Sequence, residues 1–150
     1  WNENTCEAAG KGGHLKVLQY ARAHGCEWYD ETCVEAAANG HLDVLMWATE
    51  NGAPWNDWVC TGAALGGHLE VLKYLRDQGA SWKRETCAAA ARGGHFKVLQ
   101  WLRKKGCPWD DHTCYNALQA GHMKILDWAL ENGAEYHPRY VMGGGFAVYP

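Results

Sequence analysis

The sequence predicts an all-α solenoid of stacked helix–turn–helix repeats, and two observations support this prediction. Six sequence columns recur at a step of 27 residues with no insertion. Within each step, apolar residues follow two short helical periodicities on either side of a Gly-His pair. One such unit is too small to bury its own apolar face, so neighbouring units must stack to form a continuous core.

The columns divide the chain into units. The Gly-His pair recurs at Gly13-His14, Gly40-His41, Gly67-His68, Gly94-His95 and Gly121-His122. Tryptophan recurs at Trp1, Trp28, Trp55, Trp82 and Trp109, and cysteine at Cys6, Cys33, Cys60, Cys87 and Cys114. We number positions within a unit from its tryptophan. The predicted units are 1–27, 28–54, 55–81, 82–108 and 109–135, followed by a degenerate sixth repeat, cap or tail at 136–150.

Each unit contains two predicted helices. The first begins after position 3, close to Asp30, Asp57 and Asp110, which are candidate N-caps. It ends at the small residues and glycine of positions 12 and 13. The second helix covers about positions 15 to 24 and ends at a glycine. Its apolar residues span more than half of the helical wheel, which predicts burial on several sides.

The stretch from Glu31 to Ala53 resembles an ankyrin repeat in its alanine pair, its Gly40-His41-Leu42 turn and its terminal Gly52-Ala53. The resemblance covers residues 1–135 and implies an ankyrin-like stack that binds proteins and has no chemistry of its own. The unit is shorter than the usual ankyrin length of about 33 residues. We therefore expect the β-hairpin finger between units to be absent and the buried tryptophan column to take its place.

Composition disfavours several classes of partner. The net charge is −3, from 14 basic and 17 acidic residues, so there is no basic field for nucleic acid. No apolar run approaches the roughly 20 residues of a membrane span. We expect a protein partner and no small-molecule substrate. The chain begins at Trp1, so we expect a fragment or processed product whose targeting segment lies upstream.

The cysteines and histidines predict a framework without metal or cofactor. Equivalent side chains in stacked units lie about 8–10 Å apart, too far for disulfides or shared zinc. We expect small, buried, free thiols and an intracellular, reducing compartment, most simply the cytoplasm, or an organelle after removal of a targeting segment. The exceptions are Cys26 with Cys33 and Cys107 with Cys114, which are close in sequence across a loop and are open to pairing.

Catalysis is not expected. A Cys–His pair such as Cys60 with His68 recurs in every unit, whereas an active site needs one distinctive arrangement. The repeated histidines are expected to hydrogen-bond backbone across the turn and to the next unit. His24, His112 and His137 lie outside that column and have no matching ligand set in the sequence.

Positions 4, 7, 8 and 11 of the first helix vary between units and lie on one face, opposite the core positions. In ankyrin-like stacks this face is concave and binds partners. The predicted partner-binding residues are Glu31, Val34, Trp58, Leu65, Glu85, Arg92, His112, Tyr115 and Gln119. An aromatic residue ringed by polar groups is typical of a binding hot spot, which favours Trp58 as the anchor. The alternative is that Trp58 packs against the neighbouring helix.

Three functions are therefore open. The leading hypothesis is a non-catalytic protein–protein interaction scaffold. The second is a structural or accessory subunit held permanently in a multi-subunit complex. The third, a Cys/His metal or redox protein, is the least favoured by the repetition of these residues.

Overall fold

The computed structural model describes residues 2–137, except for the side chain of Glu3. This part of the chain contains ten α-helices and no strand. The helices are α1 (Glu3–Gly12), α2 (Leu15–Ala23), α3 (Asp30–Ala38), α4 (Leu42–Glu50), α5 (Val59–Gly66), α6 (Leu69–Asp77), α7 (Arg84–Gly93), α8 (Phe96–Lys104), α9 (Asp111–Gln119) and α10 (Met123–Glu131). The predicted all-α solenoid is confirmed, and no finger of strands separates the hairpins between residues 2 and 137.

Glycine ends both helices of a hairpin. Gly67 has a φ of 78° after α5, and Gly79 has a φ of 85° after α6. This left-handed conformation is accessible to glycine without steric cost and turns the chain out of the helix. The tight turn at Gly67 places α6 directly after α5, so each hairpin is compact and can stack on its neighbours.

The core runs along the stack between the two rows of helices. The second helices contribute fully buried leucines such as Leu45, Leu72 and Leu99. The first helices contribute small buried residues, such as Cys60 and Ala63 in α5. Because these are small, α1, α3, α5, α7 and α9 pack closely side by side, whereas the second helices contact each other much less. The stack therefore curves with the first helices on its inner side.

Some of these helix contacts require glycine. A Cβ atom on Gly10 would lie 2.6 Å from the carbonyl oxygen of Thr32, and one on Gly93 would lie 2.5 Å from that of Leu65. Such distances are too short for any side chain. The absence of a side chain at these two positions therefore sets how closely α1 approaches α3 and α7 approaches α5.

The tryptophan column is half-buried, so the prediction of buried indoles was wrong in degree. Trp28, Trp55, Trp82 and Trp109 pack against the core from the loops between hairpins. Their outer faces remain accessible because the loop lies at the edge of the stack. An arginine of the preceding unit covers three of them, at 4.1 Å for Arg22 over Trp28, 3.8 Å for Arg76 over Trp82 and 4.2 Å for Arg103 over Trp109.

The predicted N-caps are confirmed at one position only. The Asp110 carboxylate accepts a hydrogen bond from the backbone N–H of His112 at 3.1 Å, which caps α9. Asp30 is instead the first residue of α3. Asp57 precedes α5 and pairs with the Lys83 ammonium at 2.6 Å. Of the predicted sixth repeat or tail, only residues 136 and 137 fall within the described residues, so the cap stays a prediction.

Candidate functional site

Helix α5 presents an apolar stripe on the inner side of the stack. Trp58, at its N-cap, is 60% exposed, and Leu65, near its C-terminus, is 44% exposed. Half-buried Thr61 lies between them at helical spacing. Large apolar side chains with this exposure contribute little to the core. These side chains are removed from water only when another molecule covers them.

A groove of about 340 Å³ lies beside this stripe, with α7 as its floor. Ala88 and Ala89 form the floor, and their small side chains leave the space between the neighbouring helices open. The remaining lining residues are Thr61 and Leu65 from α5, Arg84, Glu85 and Arg92 from α7, and Asp110, His112 and Asn116 from the start of α9. We call this surface the α5–α9 groove.

Charge is arranged differently at the two ends of the α5–α9 groove. At one end, the Arg84 guanidinium lies 3.3 Å from the carboxylates of both Glu85 and Asp110. The backbone N–H of Glu85 itself, in the first turn of α7, and then Arg84 hold the pKa of the Glu85 carboxyl below its usual range. At the other end, Arg92 is exposed and makes no ion pair with any residue from 2 to 137. The guanidinium of Arg92 therefore lies beside the apolar floor formed by Ala88 and Ala89.

The groove brings together four of the nine predicted binding residues: Leu65, Glu85, Arg92 and His112. The others lie elsewhere on the first helices and their N-caps. Trp58 is exposed at the N-cap of α5, Val34 and Tyr115 are half-buried, and Glu31 and Gln119 are exposed. Glu31 lines a separate hollow with Glu7 and Tyr29.

Sequence reasoning missed Arg84 and Asp110 as groove residues, because Asp110 was expected to be an N-cap and Arg84 was assigned no role. One signal was available for Arg84. Position 3 is acidic in the other four units and basic only here. A change of charge in an otherwise constant column marks a residue with a local role, and in the structure this residue organises the carboxylates at one end of the groove.

Asp110, Asp111 and His112 form a cluster that the sequence analysis did not anticipate. One ligand-type atom from each lies within 4.8 Å of the others, so the expectation that His112 has no matching ligand set was wrong. The helix start at Asp111 brings consecutive side chains to one point. We assign no metal here, because Arg84 already pairs with Asp110 at 3.3 Å, and His112 Nδ1 lies 3.3 Å from the Asp110 carboxylate and 3.2 Å from the Asp111 carboxylate.

The repeated histidines hold the inner face in place. The predicted hydrogen bonds to backbone of another unit are present, but their acceptors lie in the preceding unit rather than in the next one. His68 Nε2 lies 3.0 Å from the carbonyl oxygen of Ala38, His95 Nε2 lies 2.9 Å from that of Leu65, and His122 Nε2 lies 3.2 Å from that of Arg92. These carbonyls belong to position 11, so each histidine fixes the end of the first helix that carries a candidate binding residue.

All seven cysteines are buried, as predicted, and the structure has them as free thiols. The suggested pairing across the loop was wrong for Cys26, whose thiol faces Cys6 rather than Cys33. The two sulfur atoms of Cys6 and Cys26 lie 2.9 Å apart. The second helix returns the chain to the start of its own hairpin, so the loop cysteine meets the first helix of the same unit.

The comparisons agree with this architecture. Residues 33–76 match the family model described as ankyrin repeats (many copies), and no curated protein matches the chain. Within residues 2–137, none of the helices has the length and apolar character needed to cross a membrane. The matched segment includes α4 and α5, and the hairpins before and after it repeat the same helical unit. Residues 33–76 therefore match ankyrin repeats, and residues 2–137 are built from repeated helical units of the same kind.

Proposed function

We propose that the chain is a non-catalytic protein-interaction scaffold whose partner binds the inner face around the α5–α9 groove. Ankyrin repeats generally mediate protein–protein interactions, and the family is typically non-catalytic. The observation that supports this location is a groove floored by alanines and lined by exposed Leu65, on the helix whose N-cap is the exposed Trp58. An exposed tryptophan on a partly apolar surface is typical of a binding hot spot.

The groove favours a partner segment that combines an apolar side chain with an acidic group. Ala88 and Ala89 leave room for an apolar side chain, and Leu65 supplies an apolar wall. The unpaired guanidinium of Arg92 is free to form a bidentate bond with a carboxylate. The remaining predicted residues, Glu31, Val34, Tyr115 and Gln119, would extend the interface along the same face.

The test uses one pair of matched leucines. Leu65 in the groove and Leu130 on α10 are 44% and 43% exposed, so Leu65→Ala and Leu130→Ala remove equal surface from different places. A displayed library of protein fragments is selected on the wild-type chain. The affinity of each selected fragment is then measured for these two variants and for Trp58→Ala by calorimetry or surface plasmon resonance.

We expect Trp58→Ala to weaken binding by about 2 kcal/mol or more, roughly 30-fold, and Leu65→Ala by about 1 kcal/mol. Leu130→Ala should bind like the wild type. Urea unfolding of Trp58→Ala should change by less than about 1 kcal/mol, because the side chain is mostly exposed. If the selected fragments bind Trp58→Ala and Leu65→Ala as tightly as the wild type, the inner face is not the interface.

A further inference from the structure

Two of the five units carry a second cysteine. Position 6 is cysteine in every unit, but position 26 is cysteine only at Cys26 and Cys107. The other units have alanine there, at Ala53, Ala80 and Ala134, and all five position-26 residues are buried. Alanine therefore satisfies the packing at position 26, and cysteine adds a sulfur atom that the fold does not require.

In the first unit the two sulfurs are already in contact. The Cys6 thiol donates to the Cys26 sulfur at 2.9 Å, and the Cys26 thiol lies 2.9 Å from the carbonyl oxygen of Asn2. Both residues are buried within a single hairpin. A disulfide has a sulfur–sulfur distance of about 2.03–2.05 Å, so its formation requires a movement of less than about 1 Å.

The fourth unit places its two cysteines at the same two positions of the hairpin, with Cys87 near Cys107. The Cys107 thiol donates to the carbonyl of Lys83, which is the position-2 carbonyl of its own unit, as Asn2 is in the first. The Cys87 thiol lies 3.9 Å from the carbonyl oxygen of Cys107. The thiol of Cys87 and the guanidinium of Arg103 lower the pKa of Cys107. This favours the thiolate, which is the reactive form.

We propose that Cys6–Cys26 and Cys87–Cys107 are two dithiol sites that a low-molecular-weight disulfide oxidises to intramolecular disulfides, while Cys33, Cys60 and Cys114 stay as thiols. The units of the three remaining cysteines have alanine at position 26. Each of these cysteines therefore lacks a second cysteine in its own unit. Burial raises the pKa of Cys33 to about 12 and the pKa values of Cys60 and Cys114 to about 11.

The reaction is a thiol–disulfide exchange in two steps. Cys107 loses its proton to solvent, and its thiolate attacks one sulfur of the small disulfide, forming a mixed disulfide and releasing one small thiolate. Cys87 then loses its proton, attacks the Cys107 sulfur and releases the second small thiolate. Both small thiolates take up protons from solvent. Two electrons pass from the protein to the small disulfide, which leaves as two thiols.

Oxidation would tie the first helix of a unit to the loop that follows its second helix. Because Cys107 is buried, the reaction depends on a local opening of that loop, and its rate reports this opening. Once formed, the bond closes a loop of about 20 residues and restricts the unfolded chain. The oxidised protein should therefore unfold at a higher urea concentration than the reduced protein.

The test uses the whole chain with glutathione disulfide as the oxidant. After incubation, free thiols are blocked in denaturant with one alkylating reagent. Disulfides are then reduced and the released thiols are labelled with a second reagent, and peptide mass spectrometry assigns each label. We expect the second label on Cys6, Cys26, Cys87 and Cys107, and the first label on Cys33, Cys60 and Cys114.

The matched controls are Cys26→Ala and Cys107→Ala, which copy the residue of the other three units and so preserve packing. In Cys26→Ala, Cys6 should carry the first label while the pair in the fourth unit is unchanged. The double variant should lose the difference in urea midpoint between oxidised and reduced protein. The proposal would be overturned if the second label spread over all seven cysteines or if no cysteine carried it. A disulfide between Cys26 and Cys33 would overturn it as well.

Discussion

Replacing single tryptophans of the loop column tests how the hairpins are joined. Trp82 lies under the Arg76 guanidinium at 3.8 Å and meets the ring of Trp101 edge-on, with centroids 5.8 Å apart. Trp55 occupies the same position one unit earlier. It has no such ring or guanidinium contact among residues 2–137, because Thr49 replaces the arginine. Trp82→Ala and Trp55→Ala therefore remove the same indole from two different settings.

The expected difference follows from the contacts. Half of the roughly 150–250 Å² that a buried indole removes from water, at about 25 cal/mol per Å², amounts to about 2–3 kcal/mol for either tryptophan. The edge-on ring pair adds about 0.5–1.5 kcal/mol, and the exposed cation–π contact adds about 0.5–1 kcal/mol. Trp55→Ala should thus cost about 2–3 kcal/mol and Trp82→Ala about 3–5 kcal/mol.

Urea unfolding followed by far-ultraviolet circular dichroism measures both values, with the slope of each transition reporting whether the whole stack unfolds together. Equal losses for the two variants would show that Arg76 and Trp101 contribute nothing at Trp82. A greater loss of unfolding free energy for Trp55→Ala than for Trp82→Ala would refute the stabilising role assigned to the contacts of Trp82. A loss below about 1 kcal/mol for both would show that the indoles do not support the stack.

Three further predictions concern the framework. His68→Ala should lower the free energy of unfolding in urea by about 1–2 kcal/mol, because the Ala38 carbonyl loses its hydrogen-bond donor. The control is His14→Ala, since His14 is exposed and has no such acceptor among the described residues. It should lower the free energy of unfolding by less than about 0.5 kcal/mol. Gly66→Ala should lower the thermal midpoint and reduce the free energy of unfolding by about 1–3 kcal/mol, because its Cβ would collide with the same Ala38 carbonyl. An unchanged midpoint would show that α5 and α3 can move apart to accept the methyl group. Burial raises the pKa of the Cys60 thiol from 9.0 to about 11, so the folded state holds this proton more tightly and stability falls as the pH rises from 9 towards 11. Over that interval Cys60→Ala should flatten the pH dependence by up to about 1.4 kcal/mol per pH unit, and an unchanged slope would contradict this origin.

The candidate site was only partly predictable from the sequence. Variation at positions 4, 7, 8 and 11 led to Leu65, Glu85, Arg92 and His112, which the groove brings together. The groove itself depends on the adjacent Ala88 and Ala89, since a hollow arises from what the neighbouring helices leave unfilled. An alanine in the sequence does not show whether the side chains of the adjacent helices extend beyond it on both sides.

The sequence alone determined the repeat, the class of fold and the small buried character of the cysteine column, because a fixed step with helical periodicity permits few other ways to bury the apolar faces. Only the tertiary structure decided which atoms meet. It showed that arginines cover the indoles of Trp28, Trp82 and Trp109, that the histidines bond to the preceding unit and that Cys26 faces Cys6. Such contacts join residues some 20 to 30 positions apart, and they depend on how one hairpin is packed and stacked, which a pattern within a single unit does not encode.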